Sequence, residues 1–166
     1  MRIRRLEPHE IALHRDIRLR ALRDAPDSFG ESAAEAEGRP ASYWEELTRS
    51  VTEPGRHVMF LACDGVAVHG STYGLRDPQD RYAGRVGGTW VAPLHRRQGI
   101  GKTLLQAAVV WARDQGLRRL RLWAPATNVA ALLLYQQAGF ADTGQRRALP
   151  TNAALEIVEL ECTLLG

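Results

Sequence analysis

Val91-Ala92-Pro93-Leu94-His95-Arg96-Arg97-Gln98-Gly99-Ile100-Gly101-Lys102 is the stretch on which the fold of this chain turns. An apolar strand ends at Val91-Ala92, and Pro93, which has no N–H to donate, stops its ladder. A basic loop with two glycines follows. From about Thr103 onward the apolar residues recur with helical period, so Leu104, Leu105, Ala108, Val109 and Ala112 share one face. A helix that starts this way has first-turn N–H groups with no intrahelical partner. The helix dipole and the cations Arg96, Arg97 and Lys102 add positive charge at the same place, which suits a phosphate or pyrophosphate. Glycine at 99 and 101 lets that anion approach the backbone.

Two phosphate motifs are excluded by position. A P-loop ending in Gly101-Lys102-Thr103 needs a glycine where Arg96 stands, and a dinucleotide G-x-G-x-x-G fingerprint needs one where Leu104 stands. The pattern that fits is Arg96-x-x-Gly99-x-Gly101, although a plain strand–turn–helix connection gives the same residues. A second segment, Asn128-Val-Ala-Ala131-Leu-Leu-Leu-Tyr135-Gln-Gln-Ala-Gly139-Phe140, adds to it. Thr127 or Asn128 can cap this helix, and Gly139 suits the left-handed residue that ends it. Ala131, Leu134, Tyr135 and Ala138 then form an inward stripe, on which Tyr135 could be a core residue or a functional one. Taken together, in this order, the two segments resemble the pyrophosphate loop and the later Asn-x-x-Ala-x-x-x-Tyr…Gly-Phe motif of the GCN5-related N-acetyltransferase (GNAT) superfamily.

Composition bounds the rest. A chain of 166 residues that is 45% hydrophobic and 25% charged can bury one good core, so residues 1–166 are expected to form a single domain. A net charge of +3 is modest for a nucleic-acid binder, even with a pI near 9.2. Lys102 is the only lysine among many arginines, a skew that points to a GC-rich bacterial genome. Cys63 and Cys162 sit in apolar strand patterns and read as buried free thiols rather than a disulfide. No apolar run reaches membrane-spanning length and no signal-type segment follows Met1, so a cytoplasmic protein is expected.

The path of the chain can be drawn in outline. A strand is expected at 2–6, helices at 9–23 and 41–50, and a loop-rich stretch with a short helix between them. Val58–Cys63 and Val66–Gly70 flank Asp64-Gly65, a type I′ hairpin signal. Residues 75–85 read as a charged connection, followed by a strand to Val91-Ala92. After the glycine-loop helix come a strand at Leu120–Ala124, the Tyr135 helix, a strand opened by Phe140, and a last strand with Val158, Leu160, Cys162 and Leu164 inward. No repeat or linker interrupts this order.

The resemblance covers nearly the whole chain, and it implies an α/β (mixed α+β) fold: a central, mostly antiparallel sheet flanked by helices, with its fourth and fifth strands splayed. Acetyl-CoA would be the cosubstrate, lying in the splay with its pantetheine paired to backbone near Trp90–Val91, and no metal is called for. Arg96, Arg97, Gln98, Gly99, Ile100, Gly101, Lys102 and Thr103 would hold the pyrophosphate. Asn128 would fix the pantetheine arm, or simply cap its helix. The implied reaction is direct acetyl transfer to an amine through a tetrahedral intermediate, with the N–H of about Val91 as oxyanion donor. Tyr135, with a phenol pKa near 10, would protonate a leaving thiolate whose thiol titrates near 8.5.

The base is the departure from the family pattern. An alkylamine of pKa about 10.4 must lose a proton before it attacks. Relatives often place Glu or His late on the fourth strand, where this chain has Arg85, Gly87 and Gly88. Glu159, His69 or an acid among residues 31–37 could act through water; each is as readily a surface or hairpin residue. Phe29, Tyr43 and Trp44 fall where an acceptor wall would form, which suits a small-molecule amine, or they pin that region to the sheet. Trp90, Trp111 and Trp123 read as core, with Trp90 nearest a ligand. No nucleic-acid or membrane partner is expected, and a homodimer is compatible with the pattern. Alternatives are an acceptor that is a protein N-terminus or lysine, a non-catalytic acetyl-CoA-binding module, and a nucleotide-binding protein using Gly99–Thr103.

Overall fold

The computed structural model describes residues 1–164. The chain runs β1 (Arg2–Arg5), α1 (Ile11–Asp24), α2 (Ala33–Glu37), α3 (Ala41–Thr52), β2 (Val58–Asp64), β3 (Ala67–Arg76), β4 (Ala83–Val91), α4 (Ile100–Asp114), β5 (Arg119–Pro125), α5 (Val129–Gln137), β6 (Ala141–Leu149) and β7 (Asn152–Thr163). The strands form one sheet in the order β1-β2-β3-β4-β5-β7-β6. Every adjacent pair is antiparallel except β4 and β5, which are parallel.

Alternation along the strands sends apolar side chains to both faces of the sheet, so helices cover both. On one face Val58, Phe60, Val86, Leu120, Leu122 and Leu160 pack against Leu104, Leu105, Ala108 and Trp111 of α4. Leu132, Leu134 and Tyr135 of α5 join this cluster, although no α5 residue is fully buried. On the other face Met59, Leu61, Tyr73 and Trp90 meet Ile17, Leu22, Trp44 and Val51 of α1 and α3. Cys63 and Cys162 are both buried and free.

One buried polar chain ties the second layer to the sheet. His14 of α1 is fully buried, with Nδ1 2.9 Å from Thr48 Oγ1 on α3 and Nε2 2.6 Å from the Tyr73 hydroxyl on β3. Burial, helped by the Arg18 charge, lowers the His14 pKa to about 4, so the ring is neutral and can donate on one side and accept on the other.

Three local expectations are corrected. The helix after the glycine loop begins at Ile100, not near Thr103, with Gly99 as its N-cap. In the first hairpin Asp64 pairs with Ala67, so the turn residues are Gly65 and Val66 rather than Asp64 and Gly65. Only Gly65 takes a positive φ there (59°), which excludes the type I′ turn, since that needs two such residues. The charged connection is also shorter than expected, because β3 runs to Arg76 and β4 starts at Ala83.

Candidate active site

The parallel pair is short. β4 and β5 pair only at Ala83↔Arg119, Gly84↔Leu120 and Arg85↔Arg121. Beyond that the two strands part, and Val86–Val91 has no strand on that side. The direction of the bare groups follows from a single bond. The Ala92 N–H donates to His69 O at 2.7 Å, toward β3, so the Val91 carbonyl of the same peptide points the other way, into the gap. In extended backbone a residue's own N–H lies on the side of its C=O, so the Val91 N–H faces the gap too.

Half-way along this edge β4 bulges: Tyr73 pairs with Gly87 but Ser71 with Trp90, leaving an extra residue on β4. Gly88 takes that place at φ 58°, close over the Tyr73 ring; a Cβ there would lie 2.4 Å from Tyr73 Cδ2. The splay encloses a cavity of about 90 Å³ whose lining includes Phe29, Gly87, Thr89, Trp123, Asn128 and Tyr135.

The glycine loop closes one end. Arg97 (φ 61°) and Gly99 (φ 82°) turn the backbone left-handed, and Arg97 is the one non-glycine residue with positive φ among the described residues. The first amide of this stretch to find a protein acceptor is that of Thr103, which donates to Gly99 O at 3.1 Å. Among the described residues the amides of 97–102 have none, so this turn presents a row of free donors at a helix N-terminus. Arg97, Gln98, Gly99, Lys102 and Thr103 are exposed around it. Ile100 is buried below, and Gly101 lies against Leu134 of α5, 3.1 Å from where its Cβ would sit.

Arg96 is placed differently from its neighbours. Its Nε donates to the Val91 carbonyl at 2.9 Å, and its Nη2 forms an ion pair with Asp24 at the end of α1. Asp24 also accepts from Trp90 Nε1 at 2.8 Å. Arg96 therefore brackets the end of β4 against α1, and Trp90 faces that helix layer rather than the cavity. Tyr135 and Asn128 face the splay from α5. Asn128 Oδ1 accepts from the Ala131 N–H at 3.2 Å, so it caps its helix and lines the cavity at once. Burial raises the Tyr135 pKa above its usual 10, and the Thr89 hydroxyl beside it draws it part of the way back. The phenol is therefore protonated at neutral pH.

A bare strand edge, a row of free amides beside two cations that have no ion-pair partner among the described residues, and a protonated phenol fit a coenzyme A thioester, and the comparisons agree. The sequence model of the Acetyltransferase (GNAT) family matches residues 13–140. The chain belongs to this family. Aminoglycoside N(6′)-acetyltransferase type 1 of Klebsiella aerogenes is 33% identical over 107 residues, 62% of this chain and 70% of the relative. The enzyme of the same name from Stenotrophomonas maltophilia is 28% identical over 151 residues, 85% and 86%. Among solved structures, an acetyltransferase of the GNAT family from Streptococcus pneumoniae superposes with a TM-score of 0.84 at 23% identity, covering 98% of both chains. The yncA structure of Salmonella typhimurium, solved with its cofactor acetyl-CoA, gives 0.79 at 18% identity over 100% of this chain and 95% of that one. The protein is a GNAT N-acetyltransferase with acetyl-CoA as cosubstrate.

The acceptor side of this GNAT site differs from the sequence expectation. Phe29 lines the cavity, whereas Trp44 is buried between α1, α3 and the sheet, with Tyr43 packed edge-on against it. Trp123, expected in the core, is half-buried and lines the cavity, with the Arg147 guanidinium 4.2 Å over its ring. None of the base candidates reaches the cavity lining. Glu159 lies across from Trp123 on β7 and accepts from Thr143 Oγ1 at 3.1 Å; His69 stacks on His95 with centroids 3.7 Å apart. Glu31 is ion-paired to Arg18 and Arg39, Glu35 closes a capping box with Ser32, and Glu37 pairs with Arg23.

Four residues of the site went unread in the sequence. Asp24 meets its partner Arg96 from 72 positions away, and Thr72, Tyr73 and Thr89 carry no motif. The one local signal was Gly87-Gly88, a glycine pair inside a strand, which marks a bulge or close approach.

Proposed function

We propose that this GNAT enzyme moves the acetyl group of acetyl-CoA directly to a primary amine of a small molecule, through a tetrahedral intermediate, with residues 1–166 acting as one domain. The observation that carries the mechanism is the splay itself: an unpaired β4 edge with the Val91 N–H on one side and the Tyr135 phenol on the other. In this scheme the free amides of 97–102, with Arg97, Gln98 and Lys102, hold the pyrophosphate over Gly99, Ile100, Gly101 and Thr103. The pantetheine runs along Trp90–Val91 past Asn128. The Val91 N–H donates to the oxyanion, where a fixed donor stabilises developing charge. Tyr135 gives its proton to the leaving thiolate. Arg96 acts one step back, holding the Val91 carbonyl and therefore the plane of that peptide.

Small-molecule acceptors are supported by the two aminoglycoside N(6′)-acetyltransferases, which align over most of their length. The cavity adds a physical reason. Gly87 has nothing within 4 Å of a Cβ position, so the acceptor side of β4 is open where relatives place a side chain. Water standing there relays the ammonium proton out to bulk solvent, so that the neutral amine attacks.

The test is acetyl-CoA consumption with tobramycin, spermidine, an amino-acid amide and a lysine-bearing peptide as acceptors. Turnover of one or more of the three small amines, at a kcat/KM at least tenfold above the peptide, is the expected result. Preference for the peptide would refute the small-molecule assignment, and no turnover of any would refute it equally.

A further inference from the structure

The cavity in the splay is walled on its acceptor side by the loop between α1 and α2. This loop leaves α1 after Asp24, makes one 3₁₀ turn at Pro26–Ser28 and reaches α2 at Ala33. Ser28 and Phe29 line the cavity together with Gly87 and Trp123. Phe29 is fixed from two directions. Its carbonyl accepts from Thr151 Oγ1 at 3.0 Å, a contact made by the turn between β6 and β7, 122 positions away. Beside it, Pro150 Cγ stands 3.4 Å from where a Gly30 Cβ would sit. From α1 the Arg18 guanidinium lies 5.2 Å from the Phe29 ring centroid and is itself ion-paired to Glu31 at 3.2 Å. Phe29 is 8% exposed, so little space is left for the ring to swing into.

We infer that Phe29, fixed by Thr151, selects the acceptor by branching: an amino group on an unbranched CH₂ reaches the thioester, and one on a carbon with a second substituent does not. The cavity of about 90 Å³ has room for roughly three water-sized groups of about 30 Å³ each. In the scheme above the thioester shares that room, because Asn128 and Tyr135 line the same space. Attack brings the nitrogen to about 3–3.5 Å from the carbonyl carbon, so the carbon that bears it must enter as well. A CH₂ carries one further bond, which can run through the open space at Gly87, where nothing lies within 4 Å of a Cβ position. A branched carbon carries two, and the second meets Phe29 or Trp123. Neither wall yields freely. Trp123 has the Arg147 guanidinium 4.2 Å over its ring, and displacing Phe29 breaks the Thr151 bond and the Arg18 stack. The acceptors that fit are aminomethyl compounds, polyamines among them, rather than derivatives of α-branched amino acids.

The inference rests on acetyl transfer to a small amine, and matched acceptors separate the two claims. At saturating acetyl-CoA, kcat/KM is compared for glycinamide against alaninamide and for 1-aminopropane against 2-aminopropane, with spermidine and the lysine-bearing peptide alongside. The unbranched member of each pair should lead by about tenfold or more, the scale on which a site rejects one extra methyl group. Phe29→Ala should bring each pair within about threefold, with Phe29→Leu in its place if the alanine variant does not fold. Thr151 is exposed, so Thr151→Val removes the hydroxyl without touching the core. It should narrow the gap by about threefold or more, and Thr151→Ser should restore it. A loss of stability alone lowers both members of a pair together and leaves their ratio where it was. Equal turnover within the pairs, no turnover of either unbranched member, or an unchanged ratio in Phe29→Ala or Thr151→Val overturns the branching rule, while turnover of spermidine keeps the small-amine reading. Preference for the peptide through its lysine refutes the small-molecule reading and supports the branching rule, since that amino group is carried on a CH₂. Turnover of no amine at all refutes both.

Discussion

Acidification should destabilise this enzyme well above the pH at which its carboxylates titrate, and His14 is the reason. Its folded pKa is lowered to about 4 from 6.5 by burial and the Arg18 charge. As pH falls through 6.5 the unfolded chain takes up a proton that the native ring refuses. Stability is therefore constant above that value, falls between about 6.5 and 4, and levels below. Each pH unit in that window is worth about 1.4 kcal/mol, so the loss is about 2 kcal/mol by pH 5 and about 3 by pH 4. For a chain of this size that is roughly 4–8 °C in melting temperature at pH 5. His57, also lowered by burial, adds to the slope in the same direction. The lowered carboxylates, Asp142 at about 2 among them, act below their unfolded values and so outside the upper part of the window. Urea titrations at pH 7.5, 6, 5 and 4.5 read the effect. His14→Gln cannot take up that proton, so it should cost stability at neutral pH yet lose most of the slope. A flat wild-type profile, or the same slope in His14→Gln, would refute the reasoning. Because Tyr73 carries both the His14 contact and the Gly88 bulge, activity should decline in the same window.

Acetyl-CoA at a hundredfold excess over its dissociation constant should stabilise the fold by about 2.7 kcal/mol in thermal shift, while ATP and NAD do not; equal stabilisation by ATP would remove the glycine-loop assignment. Arg97→Ala and Lys102→Ala should raise KM for acetyl-CoA about tenfold with kcat within about twofold, since phosphate contacts are remote from the chemistry. Arg96→Ala should instead lower kcat and the melting temperature together; steady-state kinetics and melts on the three variants distinguish the roles. Gly88→Ala meets both a positive φ and the Tyr73 ring, and should cost about 2–4 kcal/mol in urea titration with a fall in kcat. Gly87→Ala, with open space around it, should stay within about 0.5 kcal/mol of wild type.

What the sequence disclosed was what consecutive residues decide. The strand end at Val91, the glycine loop, the Asn128 cap and the alternation of Val158, Leu160 and Cys162 depend on neighbours in the chain, and each stands where it was expected. The helix start was misplaced because Ile100 is followed by Gly101, a poor helix former, which delays any periodicity signal to Thr103. The hairpin slipped by one residue because Gly65 alone supplies the positive φ and the exposed Val66 completes the turn without one. Arg76 and Arg85 read as loop, yet ladder bonds place them in strands, where Arg76 N–H also finds His57 Nδ1 at 3.0 Å. The bulge that aims the active edge depends on β3 as much as on β4, and no single segment encodes it.

Arg96 shows how the fold can give a motif residue a partner that its sequence neighbours do not disclose. In the sequence it opens the Arg96-x-x-Gly99-x-Gly101 pattern and is one of three cations beside that loop. In the fold Asp24 arrives from the end of α1 and pairs with its Nη2, while its Nε donates to the Val91 carbonyl. On the proposed reading, the charge left for the pyrophosphate is then that of Arg97 and Lys102, and the rest of the attraction comes from backbone amides fixed by the Arg97 and Gly99 turns. Amides are dipoles held in place by the loop, whereas exposed cations are screened by salt over about 8 Å at physiological ionic strength. Cofactor binding should therefore depend only weakly on ionic strength, with the steeper part of that dependence removed by Arg97→Ala and left intact by Arg96→Ala. A salt dependence that disappears in Arg96→Ala would place this arginine on the phosphate, and Asp24 would then be a partner it leaves when the cofactor binds.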